Sequence, residues 1–300
     1  MLRFSPYFRL VRKVLLIVCV LCTISVGAQK DPVYRKRQWL FGATNAAVLG
    51  SSTLLLNELW YKDYPKSSFH FFNDAGNWRG MDKLGHSFTA YKLSCIEYFA
   101  WSWSGVPMKK ATWLSGGISW GYLFTVEVLD GFNSEWGFSV ADLGANTLGS
   151  GLFIAQQLTW KDQRVRMKFS YKPSPYAELR PEVLGANLPE RFLKDYNAQS
   201  YWLSTSPARY LPDNVYFPGW LQLSVGYSAN QMLKGDSDHY TLNNFTYKAQ
   251  SEFALSLDID WTQLPIRRVW LKKLLQPLNA IKLPFPAVYW RNGVCYVGMF

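Results

Sequence analysis

Four helix-period stretches of about 20 residues, crowded between residues 39 and 160, constrain this chain more than any other feature. They are WLFGATNAAVLGSSTLLLNELWY (39–61), DKLGHSFTAYKLSCIEYFAWSW (82–103), KKATWLSGGISWGYLFTVEVL (109–129) and SVADLGANTLGSGLFIAQQLTW (139–160). The first carries no charge before Glu58, the third has its charges at its ends, and the fourth opens on a serine suited to cap it. Turn-forming segments separate them: DYPKSSFHFFNDAGNWRG, SGVP and DGFNSEWGF. Helices of matched length joined this way predict an antiparallel, up-down bundle.

After residue 161 the character changes. The remainder holds 11 of the 15 prolines, and the helix period gives way to short alternating runs. These are WLQLSVGYSANQM (220–232), EFALSLDIDW (252–261) and the pair PAVYW and GVCYVGMF around Asn292-Gly293, a type I′ hairpin signal. One basic amphipathic segment, IRRVWLKKLLQPLNAIK, interrupts them. The fold class expected is therefore α+β, with a helical bundle over 35–161 and a β-rich module over 165–300 that ends in a hairpin. The chain closes on Phe300 after alternating residues, as outer-membrane barrel strands do, but too few strands are legible for a closed barrel. A small sheet is the expectation.

The N-terminus sets the address. MLRFSPYFRLVRK is a basic n-region, VLLIVCVLCTISV an apolar h-region, and Ala28 a small residue at a plausible cleavage point, so residues 1–28 read as a secretory signal peptide. Val18 and Leu21 precede Cys19 and Cys22, which leaves no evident lipoprotein cleavage site. Cleavage removes Arg3, Arg9, Arg12 and Lys13 and lowers the formal charge of +11 by four, to +7. In an exported chain that excess favours anionic lipid over nucleic acid as a partner. An aromatic content of 17% fits a protein at a membrane interface. The expected address is the periplasm, membrane-associated, with the outer membrane favoured; a protein partner in the envelope is compatible. Two thiols, Cys95 and Cys295, would remain, and their spacing does not show whether they pair.

Polar residues interrupt the apolar helices in pairs. Asp82 and His86 are four apart, with Lys83 beside them; Glu127 and Asp130 are three apart at a helix end; Asp142 and Asn146 are four apart behind Ser139. An unpaired buried carboxylate costs several kcal/mol, on the order of a lost ion pair, so inward-facing groups of this kind must pair with each other or with a ligand. Three uses follow. His86 could act as general base or acid oriented by Glu127 or Asp142, with Asp82, Lys83, Asp130, Ser139 and Asn146 as binding residues. The nitrogen and oxygen groups could chelate a cation, although His86 lacks the second histidine of a zinc helix and no metal is assigned. The cluster could also be a structural network that fixes helix register.

The same residues carry a family resemblance. Asp82-Lys83-x-x-His86, then Glu127 with Asp130-Gly131-Phe132, then Gly137-Phe138-Ser139 with Asp142 and Asn146, resembles the pattern of the YfiM-like family of periplasmic lipoproteins of unknown function. More remotely it is similar to VanZ-like membrane proteins. The resemblance covers about residues 75 to 160 and implies an envelope address and a bundle, without supplying a substrate or a cofactor. The expected function is binding of an anionic lipid or glycan headgroup through the polar site. Its alternatives are an envelope lipid hydrolase or transferase with His86 as base, and an assembly factor of the outer membrane.

Overall fold

The computed structural model describes residues 31–56, 64–212 and 214–299. The signal peptide expected over 1–28 lies outside these residues. The chain divides into two compact units: one comprises the described residues up to Ala75 with Thr89–Lys161, the other Gly76–Phe88 with the chain from Asp162 onward.

The first unit is a four-helix bundle built on α1 (Pro32–Leu56), α2 (Met81–Trp103), α3 (Met108–Asp130) and α4 (Val140–Trp160). The opening turns of α2, up to Phe88, group with the second unit. Helix α4 starts where the sequence places it, because the Ser139 side chain accepts from the Asp142 N–H, and it ends at Lys161 with φ 57°. Polar side chains fix the pairing between helices. Gln38 Nε2 donates to the Ser104 carbonyl at 3.3 Å and Asn45 Nδ2 to Glu97 at 2.7 Å, so α1 runs antiparallel to α2. Ser119 Oγ donates to the Ala90 carbonyl at 2.7 Å, Trp120 Nε1 to Thr147 Oγ1 at 2.9 Å, and Gln157 Nε2 to Tyr98 Oη at 3.0 Å, which brings α3 and α4 into the same bundle. Helices α3 and α4 approach closely at Gly116, where a Cβ would stand 2.5 Å from Ile154 Cδ1.

The polarity of this bundle is reversed. An apolar cluster of Leu49, Trp101, Val106, Ala111 and Ile118 fills part of the interior. Around it the buried positions are largely polar: Gln38, Asn45 and Thr53 on α1, Ser94 and Glu97 on α2, Thr112, Ser115, Ser119 and Glu127 on α3, and Asn146, Ser150, Gln156 and Gln157 on α4. Large apolar side chains point outward instead. Leu40, Val48, Leu54 and Leu55 are exposed on α1, Ile96 (65%), Phe99 and Trp103 on α2, Trp113 on α3, and Val140 and Leu148 (73%) on α4. Several buried hydroxyls bond the carbonyl four residues back, as Thr53, Ser94, Ser115 and Thr125 do, which satisfies them within their own helix.

The second unit is an antiparallel sheet of six strands in the order β1-β2-β3-β6-β7-β8. These are β1 (Val165–Tyr171), β2 (Gln199–Thr205), β3 (Leu221–Asn230), β6 (Gln250–Ile259), β7 (Pro286–Arg291) and β8 (Val294–Met299); β4 (His239–Leu242) and β5 (Phe245–Lys248) form a separate hairpin. Short helices α5 (Pro181–Leu184) and α6 (Leu188–Lys194) join β1 to β2, and α7 (Val269–Leu275) lies between β6 and β7. The closing hairpin turns at Asn292 (φ 49°) and Gly293 (φ 79°), the two left-handed residues that a type I′ turn requires. Strands β3, β6, β7 and β8 fall on the alternating runs of the sequence. Strands β1 and β2 and the β4–β5 hairpin do not, since VRMKFSY and QSYWLST place charged or hydroxyl side chains where an ordinary core strand has apolar ones. Cys95 and Cys295 are not joined by a disulfide.

Candidate functional site

Of the sequence-predicted polar residues, Asp82, Lys83 and His86 belong to the second unit and the others to the first. In the second unit, Asp82, Lys83 and His86 sit on the opening turns of α2. The turn that leads into them holds Trp78 (φ 50°) and Arg79 (φ 53°) in the left-handed region, which non-glycine residues avoid. Three anchors hold it there: the Trp78 N–H donates to the Gly235 carbonyl at 2.8 Å, Tyr227 Oη donates to the Arg79 carbonyl at 2.7 Å, and the Arg79 guanidinium pairs with Asp238 at 2.8 Å. Asp82 accepts from Tyr196 Oη at 2.7 Å and from Lys83 Nζ at 2.9 Å, and His86 Nε2 stands 3.9 Å from its Oδ1. Gly85 lets Tyr201 close on the helix, since a Cβ there would meet its hydroxyl at 2.9 Å. A carboxylate with a lysine, a phenol and an imidazole around it can hold a proton or orient a hydroxylated ligand.

In the first unit, the loops 64–75 and 131–139 pair along their backbones. The His70 N–H donates to the Gly131 carbonyl, the Phe138 N–H to the His70 carbonyl and the Phe72 N–H to the Phe138 carbonyl, all at 2.9–3.0 Å. This brings Asp74 onto the helix cap, where it accepts from Ser139 Oγ at 2.5 Å. Ser139 is thereby engaged as donor and cap at once, a role that competes with nucleophilic attack. The α3–α4 register set by Trp120 on Thr147 puts Glu127 level with the first turn of α4, which carries Asp142, and Asn146 lies one turn further on. Glu127, Asp142 and Asn146 are all buried, and Asp130 is half-buried at the end of α3.

Sequence reasoning did not single out Asp74, Tyr196 or the group Glu97–Asn45–Trp101. Glu97 accepts from Asn45 Nδ2 at 2.7 Å and from Trp101 Nε1 at 3.0 Å, deep in the bundle. The four-residue spacing of Glu97 and Trp101 was a usable signal, whereas the partners of Asp82 and Ser139 lie 114 and 65 residues away and left none. The inner face of the sheet holds a further charged set. Lys168 Nζ and Asp258 pair at 2.7 Å with both side chains fully buried, and Arg166 and Arg209 meet Asp260 at 3.4 and 3.0 Å. Burial would raise the Asp260 carboxyl, but Arg166, a hydrogen bond from Thr262, and Arg209 outweigh it and hold the group below the usual range. Burial pushes the Lys282 ammonium down to about 8; nearby Lys168 adds to this and Asp258 opposes it.

A helical bundle with polar interior side chains, joined in one chain to an antiparallel sheet with a charged inner face, defines the class of molecule. Residues 69–156, from the Phe69 loop through α2 and α3 into α4, match the family model described as a predicted periplasmic lipoprotein (DUF2279). Over that segment the chain is similar to this YfiM-like family, whose function is unknown. No curated protein and no solved structure matches the chain. The sheet lies outside the family match.

Proposed function

We propose that the protein is a membrane protein of the cell envelope whose helical bundle is held in lipid and binds a glycan-bearing lipid headgroup in its polar interior. The reversed polarity of the bundle carries this proposal: large apolar side chains are exposed on α1, α2 and α4, with Trp113 on α3, while amides, hydroxyls and carboxylates face inward. Helices of 21 to 25 residues are about 32–37 Å long at 1.5 Å per residue, and a hydrocarbon core is about 30 Å thick. Helix α1 has the length and apolar composition of a span by itself. One end of the bundle carries a belt of aromatic and basic residues, with Trp103 and Trp160 exposed and the Arg37 guanidinium over the rings of Trp103 and Tyr34. Such belts sit at headgroup depth.

The acids inside the bundle favour a glycan over an anionic group, since sugar hydroxyls donate to carboxylates whereas a phosphate is repelled by them. Glu127 and Asp142 are the residues proposed to accept from the ligand, with Asn146 beside them. The outer membrane is the proposed address, which density-gradient fractionation tests.

Lipid co-purification tests the proposal. Protein extracted in mild detergent is expected to resist alkaline carbonate in the membrane and to retain a glycolipid in native mass spectrometry; Glu127→Gln and Asp142→Asn are expected to lose that lipid with little change in helix content. A chain released by carbonate, or variants that keep the lipid, would overturn it. Turnover of the bound lipid that is lost in His86→Ala would instead favour the hydrolase or transferase alternative, and unfolding of all the variants the architectural one.

A further inference from the structure

We propose that the exposed part of the outer sheet face, on β3, β6, β7 and β8, lies with helix α7 on an anionic lipid surface. This does not rest on the bundle being in lipid. The sheet is also inverted in polarity. Its inner face buries the Lys168–Asp258 pair, and Ser204 and Ser224 meet there at 2.7 Å. The opposite face shows Leu223 beside Leu257, Val225 beside Leu255 and Phe253 beside Trp290, cross-strand pairs whose members are all exposed. Because side chains alternate along a strand, burying that face in the protein would expel the paired charges, so its exposure is built into the register. A contiguous apolar surface of this kind marks a contact.

Two observations choose lipid as the occupant. Protein interfaces mix polar with apolar groups, about half and half by area, whereas these six positions carry only the Trp290 indole N–H as a polar group. The same unit also contains residues 262–281, with four basic side chains and no acidic one, in which α7 exposes Trp270 and Leu274 next to Arg268 and Lys272. A basic helix with outward Trp and Leu suits the headgroup layer of anionic lipid. Strands of 6 to 10 residues, with β1 and β8 outermost in the sheet order, are unsuited to crossing hydrocarbon, where edge N–H and C=O groups go unsatisfied; lying on the surface leaves the outermost strands at headgroup depth.

Cys295 supplies the probe. It is exposed on β8 opposite Trp290, on the apolar face, because its neighbour Tyr296 stacks on Tyr289 on the other side. A full chain with Cys19, Cys22 and Cys95 changed to Ala is labelled there with an environment-sensitive dye and mixed with vesicles of phosphatidylglycerol or phosphatidylcholine that carry nitroxide lipid. The expected result is a blue shift and quenching on phosphatidylglycerol. Val225→Glu with Leu255→Glu should remove both, and Arg268→Glu with Lys272→Glu should weaken the response by about tenfold or more. A dye that stays in water while the chain sediments with the vesicles overturns the proposal and leaves the bundle reading intact; quenching on a chain that carbonate releases from membranes does the reverse. Equal quenching on both lipids overturns the anionic preference, and a dye shift that follows protein concentration without vesicles assigns the face to a second copy of the chain. If the glutamate variants misfold, the labelled parent chain decides by itself.

Discussion

The bundle and the sheet both turn polar groups inward and apolar groups outward, but they satisfy those polar groups in different ways. In the bundle, Thr53, Ser94, Ser115 and Thr125 each bond a carbonyl of their own helix, and the bonds between helices are mostly single and neutral, as from Gln157 to Tyr98. In the sheet, Lys168 bonds both Asp258 and the Ile259 carbonyl, and Asp258 also accepts from Ser204, so charge and hydrogen bond are shared across strands. A helix completes its backbone hydrogen bonds internally and can absorb a hydroxyl locally; a strand cannot, so its buried groups depend on neighbours distant in sequence. The bundle is thus the region where individual polar groups can be exchanged, and the sheet the region where they act as a set.

Three measurements press on that contrast. The largest effect is expected from Asp258→Ala, which strands the fully buried Lys168 ammonium: chemical denaturation should show a loss of about 3–5 kcal/mol, most of it recovered when Lys168→Met is added. Equal losses in the single and the double variant would show that the pair is not a unit. A smaller effect concerns Lys282. Its folded-state pKa of about 8 lies below the ordinary 10.5, so the cost of burying its charge is fully present below pH 8 and fades as pH rises toward 10.5, where the unfolded chain also loses its proton. Lys282→Met should therefore raise stability by about 1 kcal/mol at pH 7, with the gain shrinking to nothing near pH 10.5; a gain independent of pH would point to packing alone. Smallest is the bundle counterpart: Ser115→Ala with Thr125→Ala should change the melting midpoint in detergent by no more than the equivalent of about 0.5 kcal/mol. A loss as large as that of Asp258→Ala would erase the difference between the two regions.

The same contrast decides how much of the molecule could be read from the sequence. Helices α2, α3 and α4 were legible to within a residue or two because their limits are set locally, by Ser139 as a cap and by the SGVP and DGFNSEWGF turns. The last hairpin was legible from Asn292-Gly293, and β3 and β6 from their alternation. Strands β1 and β2 were not, since the residues that justify Lys168 and Ser204 as interior groups, Asp258 and Ser224, come 90 and 20 residues later. The polar residues of the candidate site could be named from their pairwise helix spacing. Their hydrogen-bond partners Tyr196 and Asp74 could not, because each reaches them through tertiary contact alone.

The left-handed turn at Trp78 and Arg79 has a consequence for biosynthesis. Its anchors, Tyr227, Gly235 and Asp238, are translated about 150 residues after it, so the Asp82–His86 turn cannot take up its final geometry until the chain past Asp238 has emerged from the ribosome. The opening turns of α2, within the family match, thus wait for a part of the chain that lies outside it.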